Sequence, residues 1–83
     1  INMVVKFIVV DNSVLFGEKP FAGDLHAAIA QRNSVSKSRV RGGGLADPEN
    51  RRIFGTSYGF GPYCPEIIRQ LLPGWKVEQP SSY

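Results

Sequence analysis

The run Met3-Val-Val-Lys-Phe-Ile-Val-Val10 holds seven apolar side chains and one lysine. A strand with one wet face alternates apolar and polar residues; a strand covered on both faces reads as a nearly continuous apolar run. The pattern therefore predicts a strand with packed chain on each side, closed by the turn-forming Asp11-Asn12-Ser13. Lys6 interrupts it. An ammonium in the middle of such a strand must extend its stem to a solvent edge or meet an anion.

The rest of the chain supplies the covering elements. Val14-Leu15-Phe16 predicts a short second strand ending at Gly17. Pro20 suits the first turn of a helix running to about Asn33, with Phe21, Leu25 and Ile29 as an apolar stripe. Val35 to Arg41 alternates as a strand does, which puts Lys37, Arg39 and Arg41 on one face. Gly42-Gly43-Gly44 breaks or bulges that strand, Asp47-Pro48-Glu49-Asn50 is a turn, and Arg51 to Thr56 is the hairpin partner. A glycine-rich loop from Gly55 to Cys64 leads into a helix opened by Pro65 and ended by Pro73-Gly74, with Ile67, Ile68, Leu71 and Leu72 as its apolar face. Trp75 to Glu78 is a last strand. The order β(β)αββαβ reads as an α+β fold, a mixed or antiparallel sheet with two packed helices, and residues 1–83 form a single domain.

Composition removes most of the catalytic menu. A chain of 83 residues buries only about 60% of its unfolded surface, so a modest core must suffice. One cysteine excludes an internal disulfide and a thiolate zinc cage, and one histidine excludes the two- and three-histidine metal sites. No cofactor and no metal are expected, which leaves His26 as the one side chain whose ordinary pKa suits proton transfer near neutral pH. No apolar run approaches the ~20 residues that span a bilayer, and no secretory signal is evident. The expectation is a cytoplasmic monomer, with Met3 read as its natural start and no membrane partner.

The net charge of +3 is unevenly placed: residues 32–52 carry six cations against two carboxylates, and the remainder nets −1. Six of the nine glycines fall between 42 and 61, beside or within that basic segment. Cations next to glycine-rich backbone suit a phosphate-bearing partner, small or polymeric. The plainer reading is a solvated strand face with charges that protect an edge. His26 falls at the border of the predicted helical stripe, where an imidazole can turn one nitrogen toward backbone and the other toward a cleft, or simply pack. In Gly55-Thr56-Ser57-Tyr58-Gly59-Phe60-Gly61-Pro62 the glycines free backbone N–H groups and Ser57 adds a hydroxyl, though the P-loop ending is absent.

On these residues the chain resembles the Janus/Ocnus family, which includes the protein histidine phosphatases that remove phosphate from phosphohistidine. Lys6-Phe7-Ile8-Val9-Val10 is similar to the family's first strand, and Leu25-His26-Ala27 with Ile29 to its histidine-bearing helix. Gly42-Gly43-Gly44 matches its triple glycine, and Gly55-x-Ser57-x-x-Phe60-Gly61-Pro62 the loop pattern G-x-S-x-x-aromatic-G-P. Pro73-Gly74-Trp75-Lys76-Val77 and Tyr83 resemble its closing strand and a tyrosine near its end. The resemblance implies that His26 is catalytic, as a general base toward water or as a nucleophile. It further implies that Lys6 holds the phosphate, and that Ser57 and the N–H groups of Ala27 and Gly59 cradle its oxygens. Leu45 stands where the family carries an arginine after the glycines, and Arg41 is the expected substitute. Asp24-Leu25 replaces an acidic-aromatic pair.

Three functions are thus expected in order. The first is a metal-independent phosphatase-like domain acting on phosphohistidine or a related phosphoramidate, its partner a phosphorylated protein or a small phosphoramidate. The second is a phosphate- or phosphoprotein-binding module without turnover. The third is nucleic-acid binding through Lys37, Arg39 and Arg41, disfavoured because no aromatic residue interleaves those cations.

Overall fold

The computed structural model describes residues 3–18 and 25–81. The apolar run forms β1 (Val5–Val10), which pairs antiparallel on one side with β2 (Ser13–Phe16) and on the other with β3 (Val40–Asp47). β3 pairs antiparallel with β4 (Arg52–Phe54), and β4 pairs in parallel with the two-residue β5 (Lys76–Val77). The sheet is therefore mixed, in the order β2-β1-β3-β4-β5. Two helices complete a small α+β domain: α1 (His26–Arg32) and α2 (Pro65–Leu71). α2 lies in the crossover that lets β5 run parallel to β4. The expected helix start at Pro20, with Phe21, Asp24 and Tyr83, lies outside the described residues.

Strand alternation divides β1 between two cores. Val5, Phe7 and Val9 pack with Ala46, Ile53, Tyr63 and Ile68 of α2. Ile8 and Val10 pack with Ile29 and Ala30 of α1. A run without polar alternation is thus what a strand between two helical layers requires. Tyr63 closes the first layer: burial, aided by the Glu78 charge, pushes its hydroxyl up to about 12. That hydroxyl donates to the Glu78 carbonyl at 2.7 Å. The Arg52 guanidinium sits 4.2 Å over the Phe54 ring and pairs with the Glu78 carboxylate, tying the segment after β5 to β4.

The expected turn after β3 is built by Asp47. Its carboxylate accepts from the Asn50 N–H at 3.3 Å and from Asn50 Nδ2 at 2.8 Å. Three expectations are corrected. The strand expected over Val35–Arg41 is a 3-10 turn, Lys37–Arg39, and the strand begins only at Val40 and runs through the three glycines. It does so with a bulge, since Ile8 pairs with Gly43 and Val10 with Val40. Two steps along β1 therefore match three along β3, and the extra residue is absorbed at Gly42, whose φ is +129°. Lys37 does not share a face with the other two: it lines a cavity with Leu25 and Ala27, whereas Arg39 pairs with Asp11 and Arg41 lines a groove that Asp11 also borders, with Asn12, Ile67 and Gln70.

The helix faces are narrower than the sequence pattern suggests. In α2, Ile68 is fully buried while Ile67, turned by about 100° from it, is 37% exposed. Leu25 has an extended backbone, at φ −72° and ψ 152°, before the first turn of α1 and is 64% exposed. The buried residues of α1 are Ile29 and Ala30. Among the described residues no helix is long and apolar enough to cross a membrane.

Replacing Ile68 by Ala is expected to lower unfolding stability by about 2–5 kcal/mol, while Ile67→Ala costs less than about 1 kcal/mol. Chemical denaturation of the two variants measures the difference; equal losses would contradict the helix orientation.

Candidate functional site

Lys6, Ile8 and Val10 alternate with the α2-facing residues, so Lys6 belongs to the sheet face that carries α1. His26 opens that helix. Opposite Ile8 in the β3 register stands Gly43, and its lack of a side chain has a steric reason. A Cβ there would lie 2.4 Å from the Phe7 carbonyl oxygen, 3.1 Å from His26 Cδ2 and 3.3 Å from Ser57 Cβ. The imidazole therefore rests against bare strand backbone. From that position its Nε2 lies 3.0 Å from the Gly44 carbonyl oxygen. A carbonyl can only accept, so Nε2 carries the hydrogen and donates it. In the neutral ring Nδ1 then holds the lone pair.

The ring's protonation follows from its surroundings. Burial lowers the His26 pKa from its ordinary 6.5, and the positive charge of Lys6 lowers it further. The bond to Gly44 opposes the shift without reversing it. At neutral pH the ring is therefore uncharged and basic at Nδ1, the state that a proton acceptor or nucleophile needs.

The glycine-rich loop closes over the same spot. Gly43 N–H donates to the Gly61 carbonyl at 3.1 Å, and Gly61 N–H to the Ser57 carbonyl at 2.8 Å. Ser57 is fully buried, and its Oγ accepts from the Phe60 N–H at 3.1 Å. Its own hydroxyl proton remains available as a donor, but its first structural effect is to fold the loop back on itself. Phe60 packs against the α1 core. Tyr58 and Gly59 are left at the exposed tip.

These elements enclose a cavity of about 350 Å³. Lys6, His26, Ala27, Ser57 and Gly59 line it together. Among the described residues no carboxylate lines it, and none of the described carboxylates pairs with Lys6. Arg41 is the exception among the expected residues. The bulge at Gly42 turns it to the α2 side, beside Ile67, Gln70 and Leu71, so it cannot replace the missing arginine. Leu45, at that arginine's position, pairs with Lys6 across the strands and packs against Gly55, with Cγ 3.0 Å from where a Gly55 Cβ would stand.

Four lining residues, Leu25, Lys37, Tyr58 and Phe60, lie outside the site that the sequence reasoning expected. Lys37 reaches the cavity from the 3-10 turn, and Leu25 and Tyr58, the two most exposed large apolar side chains among the described residues, stand at its rim. The polar Ser34-to-Ser38 stretch was the available signal for Lys37, since such a segment turns more readily than it extends. Among the described residues no three His, Cys, Asp or Glu side chains gather where a metal could be held. No family model, curated protein or solved structure matches the chain. The class defined by fold and site together is a small α+β domain with a basic, histidine-centred cavity.

The imidazole of His26 is expected to titrate below pH 6.5, with the Nε2–H tautomer above that midpoint; Lys6→Gln should move the midpoint upward. Nitrogen-15 NMR of the ring measures both, and a midpoint at or above 6.5 would contradict the burial. The sign for stability follows. The unfolded chain takes up the proton first on acidification, so this contribution is complete above about pH 6.5 and declines as pH falls toward the folded midpoint.

Proposed function

We propose that this cavity is the active site of a phosphatase-like domain of the Janus/Ocnus kind, hydrolysing the P–N bond of phosphohistidine or a related phosphoramidate on protein substrates. The observation that carries the reading is the pairing of a neutral His26, its Nε2–H held by Gly44, with Lys6 in a cavity lined by no carboxylate among the described residues. A cation there attracts a phosphoryl group, and the described lining adds no negative charge to repel it. Ala27 belongs to the first turn of α1, where an α-helix leaves its amides without intrahelical acceptors. That N–H, the Gly59 N–H and the Ser57 hydroxyl are the donors for the phosphoryl oxygens. Phosphoryl transfer depends mainly on such positioning and charge stabilisation.

Two routes use the same atoms. With His26 as base, Nδ1 takes a proton from water and the water oxygen bonds to phosphorus. The P–N bond breaks with its electron pair returning to the substrate nitrogen, which takes up a proton. With His26 as nucleophile, Nδ1 bonds to phosphorus as the substrate P–N bond breaks, and water then hydrolyses the phospho-His26 intermediate. A second reading is favoured by Leu45: with an apolar side chain where the resemblance places an arginine, the cavity has one cation fewer for the transition state, which suits a phosphate-binding module without turnover. Nucleic-acid binding is less well supported, since Lys37 lines the His26 cavity while Arg39 and Arg41 both stand beside Asp11.

His26→Ala is expected to reduce phosphate release from a phosphohistidine peptide by at least about 10²-fold. Equal release from wild type and variant would end the catalytic reading. In wild type the rate should rise with pH through a midpoint below 6.5 and level off above it, because only the neutral ring can accept a proton or attack. A rate that stays constant across the imidazole midpoint measured by NMR would exclude both roles.

A further inference from the structure

We infer that Lys37 is the second cation of the His26 cavity, and that with Lys6 it commits the site to a doubly charged anionic head. The inference deepens the phosphoryl reading above and rests on it for the choice of ligand. The two lysines come from different elements, Lys6 from β1 and Lys37 from the 3-10 turn, and both line the cavity that holds His26. None of the described carboxylates pairs with either. This distinguishes Lys37 from its sequence neighbour Arg39, whose charge is already answered by Asp11.

The segment that presents Lys37 is anchored on both sides of it. Before it, Val35 packs against the α1 core and its N–H donates to the Ala30 carbonyl at 2.9 Å. After it, the Arg39 guanidinium pairs with Asp11, and the Arg39 N–H donates to the Ser36 carbonyl at 3.0 Å. Lys37 therefore projects from a short, pinned turn, and holding its head group over a ligand orders one side chain and little backbone. Leu45 leaves the β3 side of the cavity without a cation, and Arg41 faces away. Lys37 is thus the side chain available to supply a second positive charge from a new direction.

Two cations that no described carboxylate pairs with, in a cavity whose described lining holds no carboxylate, select by charge. A phosphoryl dianion gains from both lysines, and a carboxylate monoanion of the same reach gains about half as much. Lys37 is exposed, so its share of the attraction weakens with added salt.

The test uses inorganic phosphate as the probe, titrated into the full chain at low ionic strength and followed by amide NMR. Four proteins are compared: wild type, Lys37→Gln, Lys37→Arg and Arg41→Gln. The last removes the same charge from outside the cavity. Phosphate should shift the amides of Ala27 and Gly59. Lys37→Gln should weaken binding roughly five- to tenfold, Lys37→Arg should keep it within about twofold, and Arg41→Gln should leave it near wild type. Acetate should bind more weakly than phosphate and lose less on Lys37→Gln. Binding equal in Lys37→Gln and wild type, or weakened equally in Arg41→Gln, overturns the inference, as does the absence of any phosphate binding by wild type. Lys37-dependent binding without turnover of phosphohistidine supports it and overturns hydrolysis instead. Turnover that is indifferent to Lys37 does the reverse.

Discussion

Three consecutive positions of β3 lack side chains because three different groups occupy the space a Cβ would take. At Gly42 it is the Pro62 carbonyl, 2.2 Å from an added Cβ; at Gly43, the Phe7 carbonyl, His26 and Ser57; at Gly44, the Phe54 carbonyl and the Tyr63 ring. The molecule is assembled around this bare stretch of strand. The loop before α2 crosses it, the tyrosine of one core lies on one face, and the histidine of the cavity lies on the other. Side chains there would separate loop, helix and sheet at once, and the Nε2–H of His26 would lose its carbonyl.

The second organising element is β1, whose two faces serve two layers. One face contributes only to the α2 core, while the other begins with Lys6 and continues with Ile8 and Val10 beneath α1. The lysine enters where the apolar cover ends, so its charge is spent on the cavity. There its charge adds to burial in holding the His26 pKa down, which favours a neutral nitrogen in the cavity. Lys37 adds a second charge from a different element.

Much of this is legible in the chain. The continuous run at residues 3–10 announces a strand covered twice, Pro65 and Pro73-Gly74 bracket α2, and Asp47-Pro48-Glu49-Asn50 makes the turn its residue types demand. The histidine, the lysine and the Ser57 loop could be nominated because each residue type has a limited set of uses. What misled was alternation. Val35 to Arg41 has the period of a strand, yet Val35 is a core contact of α1 and Lys37–Arg39 turn, so a period of two reported a coincidence of burial. Ile67 misled because spacing identifies apolar neighbours on a helix, but the angle at which the helix meets the sheet decides which of them is covered; Leu25 misled because it stands before the first turn of α1 with an extended backbone, where helical spacing does not apply.

By itself, then, the sequence determined the doubly covered strand, the bracketing of α2, the turn at Asp47, a bulge at Gly42–Gly44, and one imidazole with a few cations as the candidate groups. Local rules suffice for these, because they depend on residues adjacent in the chain. Only the tertiary structure decided which cations serve the cavity. The bulge at Gly42 moves Arg41 to the α2 side, and a 3-10 turn swings Lys37 to the α1 side. A one-residue shift in register reverses the face of every side chain beyond it, and register is set by the partner strand, not by the strand itself.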